Sequence, residues 1–355
     1  MDSKRERNNF IDFIRAISIL GVICIHVVGL SFSEESIGIG VLFMDNLFRF
    51  AVPFFMGILG FMTIKKYSSI NSWWKFYRDK IFFIVLPFYI WAIYYYFTPN
   101  IYPYPNINEG KEHWWQILTG ESEIQLYFMI AYLLFLLITP LVVFLYKKDK
   151  NNRFKFLCIG LVFCHLALLT YSDYIVWVEK SDFWYLHWNY SLPLHWLAYY
   201  LIGVLIALPG KNRYLAVIKK KGNYHFWLSL ILYLVAVVCF LFSLRGLKPY
   251  ATVQLFIVSL FALNFLYKLY LKIRKYKMIN WLYYIGKNSF PIYLSHVIFI
   301  KYAFIAFGKQ TGLIYDILIY IACIVFSIGY IGLHNSFFSK EGISNGLQKP
   351  SIFNK

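Results

Sequence analysis

Residues 10–31 read FIDFIRAISILGVICIHVVGLS, an apolar run interrupted by the ionisable residues Asp12, Arg15 and His26. A helix of this length spans about 30 Å, the thickness of the hydrocarbon core of a bilayer. Nine more apolar stretches lie at about 40–64, 80–98, 125–146, 156–174, 192–208, 226–244, 251–269, 288–307 and 313–333. The sequence therefore predicts an all-α integral membrane protein, a bundle of about ten transmembrane helices that forms a single domain over residues 1–355.

The composition excludes an ordinary soluble domain. Of the 355 residues, 60% are hydrophobic and 15% are charged, whereas soluble domains have roughly half and a quarter, respectively. No alternating ten-residue pattern repeats along the chain, as a transmembrane β-barrel would require. The backbone must therefore satisfy its hydrogen bonds inside helices.

The net charge of +18 lies in the loops between the apolar stretches. Twenty-seven of the 35 Lys and Arg residues fall on one side of the predicted membrane, and six, Lys301 among them, fall on the other. Because cytoplasmic loops carry an excess of Lys and Arg, both termini are predicted to be cytoplasmic. Topology thus explains the charge, and no nucleic-acid partner is expected.

The loops on the other side are acidic or aromatic. Residues 98–124 carry four glutamates and one lysine, which agrees with an external loop. Residues 177–196 are dense in Trp and Tyr. This aromatic segment is interpreted either as an interfacial belt or as a platform on which sugars stack.

The ionisable residues of the first span are candidates for a functional site, because such residues are costly inside a membrane. Arg15 and His26 are eleven residues apart, which separates them by about 20° around the helix axis and roughly 16 Å along it. Alternatively, Arg15 extends to the interface with Asp12 as its partner, and His26 is a satisfied packing residue.

The second span holds Asp45 and Arg49 at a separation of four residues, followed by Pro53. Arg49 lies too deep for its charge to reach the interface easily. The pair is a second candidate for function, although a buried ion pair can also set helix register without taking part in chemistry.

The ninth span places Tyr293 and His296 on one helix face. An intramembrane imidazole beside a phenol is suited to general acid or base catalysis. The sequence contains no metal-ligand spacing, nucleophile elbow, phosphate-binding loop or nucleotide-binding glycine pattern. No metal is therefore expected.

These segments together resemble the acyltransferase 3 family. Residues 9–16 with His26 resemble its opening helix, which has an arginine, ten intervening residues and a histidine. Residues 48–55, Phe-Arg-Phe-Ala-Val-Pro-Phe-Phe, are similar to its second motif. Two more similarities lie at Arg78 with Pro87 and Tyr89, and at residues 288–296. The resemblance covers most of the chain, and the nearest type is a surface-polysaccharide O-acyltransferase.

The resemblance implies a cytoplasmic acyl-coenzyme A donor, usually acetyl-coenzyme A, and a glycan hydroxyl as acceptor. Arg15 suits the anionic donor, and His26 suits deprotonation of the acceptor or transient carriage of the acyl group. Arg49 would stabilise the developing oxyanion. His296 or Tyr293 would position the acceptor, with Asp12 and Asp45 as further substrate-binding residues.

The implied location is the bacterial plasma membrane, with the lipid bilayer, a glycan and polysaccharide synthase or export components as partners. A rival hypothesis is an exporter or flippase for a lipid-linked glycan, since intramembrane charges can also line a transport path. A third is a structural partner within a polysaccharide synthase complex. An acyltransferase would leave a covalent ester on the glycan, whereas an exporter would not.

Overall fold

The computed structural model describes residues 2–29, 39–98, 113–149, 151–174, 192–209, 222–243, 252–307 and 313–338. These residues are predominantly helical and include no β-strand. The predicted all-α fold is therefore confirmed. Most of the aromatic segment at 177–196 lies outside the described residues, so both interpretations of it stay predictions.

The α-helices of the described residues are numbered here in chain order. They are α1 (Asp2–Val28), α2 (Ile39–Phe48), α3 (Ala51–Lys65), α4 (Trp73–Lys80), α5 (Leu86–Phe97), α6 (His113–Thr119), α7 (Tyr127–Lys148), α8 (Arg153–Tyr174), α9 (Leu197–Ala207), α10 (Asn223–Ser243), α11 (Val253–Ile273), α12 (Ile279–Lys287), α13 (Ser289–Phe307) and α14 (Leu313–Phe338).

Nine helical segments within the described ranges are long and apolar enough to cross a membrane, and they coincide with nine of the ten predicted spans. The remaining predicted span, 192–208, forms the shorter apolar helical segment Pro193–Ala207. The structure thus describes a multi-pass membrane protein.

Two of the spans are interrupted where prolines follow. The second span turns at Arg49 between α2 and α3. Pro53 has no N–H to offer the Arg49 carbonyl, and its ring would clash with that carbonyl in a regular helix. In the third span, the helix widens into the π-helical turn Ile81–Val85 just before Pro87, which likewise cannot donate the backbone hydrogen bond of a regular α-helix. Arg49 consequently lies at a helix junction inside the span.

The contacts within the chain define two compact units, so the expectation of a single domain stays a prediction. The first unit contains α1–α3 and α7–α12. Within it, 72% of an 18-residue apolar window of Asn9–Val28 is buried, compared with 22% of such a window of Asn223–Phe242. The span that carries Asp12, Arg15 and His26 is therefore an interior helix.

Small residues let α9 lie directly against α3 in the first unit. A Cβ atom added to Gly60 would collide with the Tyr200 carbonyl, and one added to Gly203 would collide with the Gly57 carbonyl. Close helix packing through small residues is common in membrane proteins. The Tyr200 hydroxyl also donates to Thr63 Oγ1 at 3.1 Å. The short helix α9 is thus held inside the protein.

The second unit contains α4–α6, α13 and α14. In α13, 67% of an 18-residue apolar window of Ser289–Phe307 is buried, whereas 28% of such a window of Ile314–Ser336 in α14 is buried. Trp91 Nε1 of α5 donates to the Tyr330 hydroxyl of α14 at 3.1 Å. The helix that carries Tyr293 and His296 is therefore the interior helix of this unit.

Candidate active site

Helix α1 places three of the predicted site residues in the interior of the first unit. It is uninterrupted from Asp2 to Val28, so Arg15 and His26 keep a helical separation of roughly 16 Å. Arg15 Nη1 lies 3.9 Å from Asp12 Oδ1. The two groups form an ion pair, but this distance is too long for a hydrogen bond. The Arg15 side chain is 29% exposed, and His26 is partly buried. Asp12 therefore leaves the guanidinium accessible.

A second cation reaches the same end of α1 through helix α12. A Cβ atom added to Gly286 would collide with the Asp12 backbone carbonyl, so α12 crosses α1 in close contact. The adjacent Lys287 is exposed and acts electrostatically on the Asp12 carboxylate. Tyr67, which follows α3, lies within electrostatic range of Arg15. Arg15 and Lys287 thus form a basic pair beside Asp12.

Sequence reasoning missed Lys287 and Tyr67 as site residues. In the sequence Lys287 is one of many lysines between the apolar stretches, and nothing in its neighbourhood along the chain connects it with Asp12. The glycine that precedes it was the available signal, since a glycine at a helix end can mark a close approach of two backbones.

The predicted ion pair of the second span is present and largely buried. Arg49 donates from Nε at 2.8 Å and from Nη2 at 2.6 Å, and both bonds end on Asp45 Oδ2. The side chains are 13% and 5% exposed, respectively. Among the described residues, the other carboxylate oxygen, Asp45 Oδ1, has no hydrogen-bond partner. A buried acceptor oxygen beside a fixed guanidinium is suited to binding a polar substrate group.

Helix α1 contacts both α2 and α3. At one contact with α2, the Phe48 ring lies so close to Gly21 that a Cβ atom there would be 3.0 Å from Phe48 Cδ1. The ionisable residues of the first two spans therefore belong to helices that pack on each other within one unit. Tyr293 and His296 belong to the second unit.

His296 is fully buried, and its tautomer follows from its surroundings. Its Nδ1 lies 2.7 Å from the Tyr293 carbonyl oxygen. A carbonyl can only accept, so Nδ1 carries the hydrogen and Nε2 carries the lone pair of the neutral imidazole. The Tyr293 hydroxyl donates to the Gln125 carbonyl. This arrangement makes Nε2 the nitrogen that could take a proton.

The second unit also contains a buried ion pair that sequence reasoning did not predict. Lys301 Nζ donates to Glu123 Oε2, and both residues are buried. The charge distribution along the sequence places Lys301 among the external charges, but this residue lies inside α13. The signal was its position within the predicted span 288–307, because a charge there requires a partner.

The fold and the charges define the class of the protein: a multi-pass, all-α membrane protein with buried ionisable residues in its first two spans. The family model described as an acyltransferase domain matches residues 8–332, nearly the whole chain. The chain therefore belongs to the acyltransferase 3 family and is an acyl-transferring enzyme, which confirms the predicted resemblance. Comparison with the curated proteins and with the solved structures gives no match.

Proposed function

We propose that the protein is a membrane O-acyltransferase. It moves an acyl group, which we propose to be acetyl, from cytoplasmic acyl-coenzyme A to a hydroxyl of a cell-surface or lipid-linked polysaccharide. One observation carries the proposal. Arg15 and His26 share a single uninterrupted helix, and 72% of an 18-residue apolar window of its span is buried, the largest such share among the nine spans of the described residues. Family membership supports acyl transfer as the reaction.

The basic pair at the end of α1 suits the donor. Coenzyme A carries phosphate groups, and a guanidinium keeps its charge and offers several donors in a poor dielectric. Lys287 adds a second positive charge on an exposed side chain. Asp12 partly neutralises the two cations, which limits the binding of unrelated anions. Arg15 and Lys287 are therefore assigned to the phosphates of the donor.

The chemical step is assigned to His26 and Arg49. The imidazole of His26 takes the proton of the acceptor hydroxyl, and the oxygen attacks the thioester carbonyl carbon. The negative charge that develops on the carbonyl oxygen is stabilised by the Arg49 guanidinium. The C–S bond then breaks, and the coenzyme A thiolate takes the proton from the imidazolium. Alternatively, His26 carries the acyl group as a transient adduct before the hydroxyl attacks.

Asp45, Tyr293 and His296 are assigned to the acceptor. Asp45 Oδ1 supplies a buried hydrogen-bond acceptor for a sugar hydroxyl. The Tyr293 hydroxyl donates to a backbone carbonyl, and a phenol oxygen can also accept, so it is assigned to a hydrogen bond from a sugar hydroxyl. His296 offers the lone pair of Nε2. These roles agree with a polar substrate rather than a lipid tail.

The test is transfer of label from acetyl-coenzyme A to surface polysaccharide in membranes that contain the full-length protein. We expect His26→Ala to lower transfer by about 10²- to 10⁴-fold, the usual contribution of general acid–base catalysis. The matched control is His225→Ala, the same substitution near the start of α10, which should retain wild-type transfer. All proteins are compared at equal amounts in the membrane.

Wild-type transfer by His26→Ala would remove the proposed mechanism. Absence of labelled ester from the wild-type reaction, with unmodified polymer crossing the membrane only when the protein is present, would instead favour the exporter hypothesis.

A further inference from the structure

A hydroxyl from α5 contacts the backbone of α13 at the turn that carries His296. The Tyr95 hydroxyl donates to the Leu294 carbonyl at 2.8 Å and accepts from the Ile298 N–H at 3.2 Å. In a regular α-helix these two backbone groups, four residues apart, pair with each other. The phenol contacts both of these groups, and His296 lies in the middle of the turn that they close.

The same turn is held from its other side by α14. The Cys323 thiol donates to the His296 carbonyl at 3.3 Å, while His296 Nδ1 is held by the Tyr293 carbonyl. Tyr95 is 3% exposed and His296 is 0% exposed. Hydrogen bonds at such depth are strong and directional, because no water competes for the groups.

The Tyr95 phenol is itself fixed in place. Lys301 Nζ lies 6.0 Å from the centroid of its ring, and that ammonium is held by Glu123. The ring also packs against Trp91 of α5, with 5.4 Å between ring centroids. A hydroxyl on a fixed ring sets the position of the backbone groups that it bonds.

We propose that Tyr95 is a positioning residue for His296: its hydroxyl bridges Leu294 and Ile298, and thereby sets the direction in which His296 Nε2 points. This inference rests on the proposed function, in which His296 acts on the acceptor. Tyr95 itself takes no part in the chemical step.

The substitution Tyr95→Phe separates positioning from folding. It keeps the ring and removes the hydroxyl. The Leu294 carbonyl and the Ile298 N–H are partners in a regular helix, so neither is left buried without a partner when the hydroxyl is removed. The turn loses its hydrogen bonds to α5, so the imidazole is no longer held in a fixed position relative to that helix. The variant should therefore fold, but its imidazole should be displaced.

The matched control is Tyr94→Phe, on the same helix. The Tyr94 hydroxyl lies 3.2 Å from the Tyr302 hydroxyl and also connects α5 with α13, but both residues are exposed. The wild type, both single variants, His296→Ala and the double variant Tyr95→Phe/His296→Ala are purified at full length. Each is assayed with labelled acetyl-coenzyme A and de-O-acetylated surface polysaccharide.

We expect Tyr95→Phe to lower kcat by about 10- to 100-fold, since a displacement near 1 Å can cost this much. The KM for acetyl-coenzyme A should stay unchanged, and Tyr94→Phe should behave as the wild type. In the His296→Ala background, Tyr95→Phe should cause no further loss, because a residue that acts through His296 has nothing left to position.

Several results would overturn the inference while leaving acyl transfer intact. They are full activity of Tyr95→Phe, full activity of His296→Ala, an equal loss from Tyr95→Phe in both backgrounds, and failure of Tyr95→Phe to fold where Tyr94→Phe folds. The last would assign the hydroxyl to stability. Absence of label transfer by the wild type would instead overturn the proposed function and this inference together.

Discussion

The Lys301–Glu123 pair is a single contact with a large energetic consequence. Both charges lie where water cannot solvate them, and each is tolerated because the other is present. Replacing a buried ion pair by apolar residues is often neutral, whereas removing one partner leaves an uncompensated buried charge. The presence of the pair adds little to the free energy of unfolding, but loss of one partner should lower it strongly.

We expect Lys301→Met to lower the free energy of unfolding by about 3–5 kcal/mol, because the Glu123 carboxylate is left buried without its counter-charge. Adding Glu123→Leu should recover most of that loss. The control Lys148→Met replaces an exposed lysine at the end of α7 and should stay within about 0.5 kcal/mol of the wild type. The measurement is unfolding of the purified protein in detergent, and a double variant no more stable than Lys301→Met would contradict this account.

Among the helices, the crossing of α12 over α1 has the most direct bearing on the donor. The backbones approach at Gly286 and Asp12 without a side chain between them. Any larger residue at 286 must push α12 away, and Lys287 moves with it. The basic pair of Arg15 and Lys287 thus depends on a residue that has no side chain.

Substituting Gly286→Ala should destabilise the protein by about 1–3 kcal/mol, the usual cost of overpacking a filled contact. It should also raise the KM for acetyl-coenzyme A more than it lowers kcat, because Lys287 is displaced from the donor. Gly160→Ala is the control, since a Cβ atom there meets nothing within 4 Å. Thermal unfolding and initial rates measure the two effects. A wild-type KM in Gly286→Ala would remove Lys287 from the donor site.

The topology of the whole chain depends on one short segment. Pro193–Ala207 has 15 residues, which reach roughly 22 Å and fall short of the hydrocarbon core. Close packing on α3 and burial of most of α9 give it protein neighbours instead of lipid. A segment enclosed in this way can cross without matching the bilayer thickness.

We therefore expect the segment to cross, so that the loops on its two sides face opposite compartments. Reporters active only in the cytoplasm, fused after residues 150, 185 and 215, should be active, inactive and active, respectively. A reporter at the carboxyl terminus should be active as well. An inactive reporter after residue 215 would show that the segment does not cross, and it would contradict the prediction that both termini are cytoplasmic.

The sequence alone determined the fold class and the order of the spans. Burial in lipid imposes a length and an apolar composition on each helix, and both are local properties of the chain. The same reasoning found the ion pair of Asp45 and Arg49, because four residues along a helix form one turn. Arg15 and His26 were found from their eleven-residue spacing, which places them on one face of a helix.

Only the tertiary structure decided which distant residues meet. Lys287 acts electrostatically on Asp12, Lys301 binds Glu123, and Tyr95 bonds the turn of His296. The last two contacts join residues 178 and 199 positions apart in the sequence. No periodicity within a helix encodes such contacts, because they depend on how whole helices pack against one another. The sequence shows which residues carry charge, but the packing of the helices decides which residues they contact.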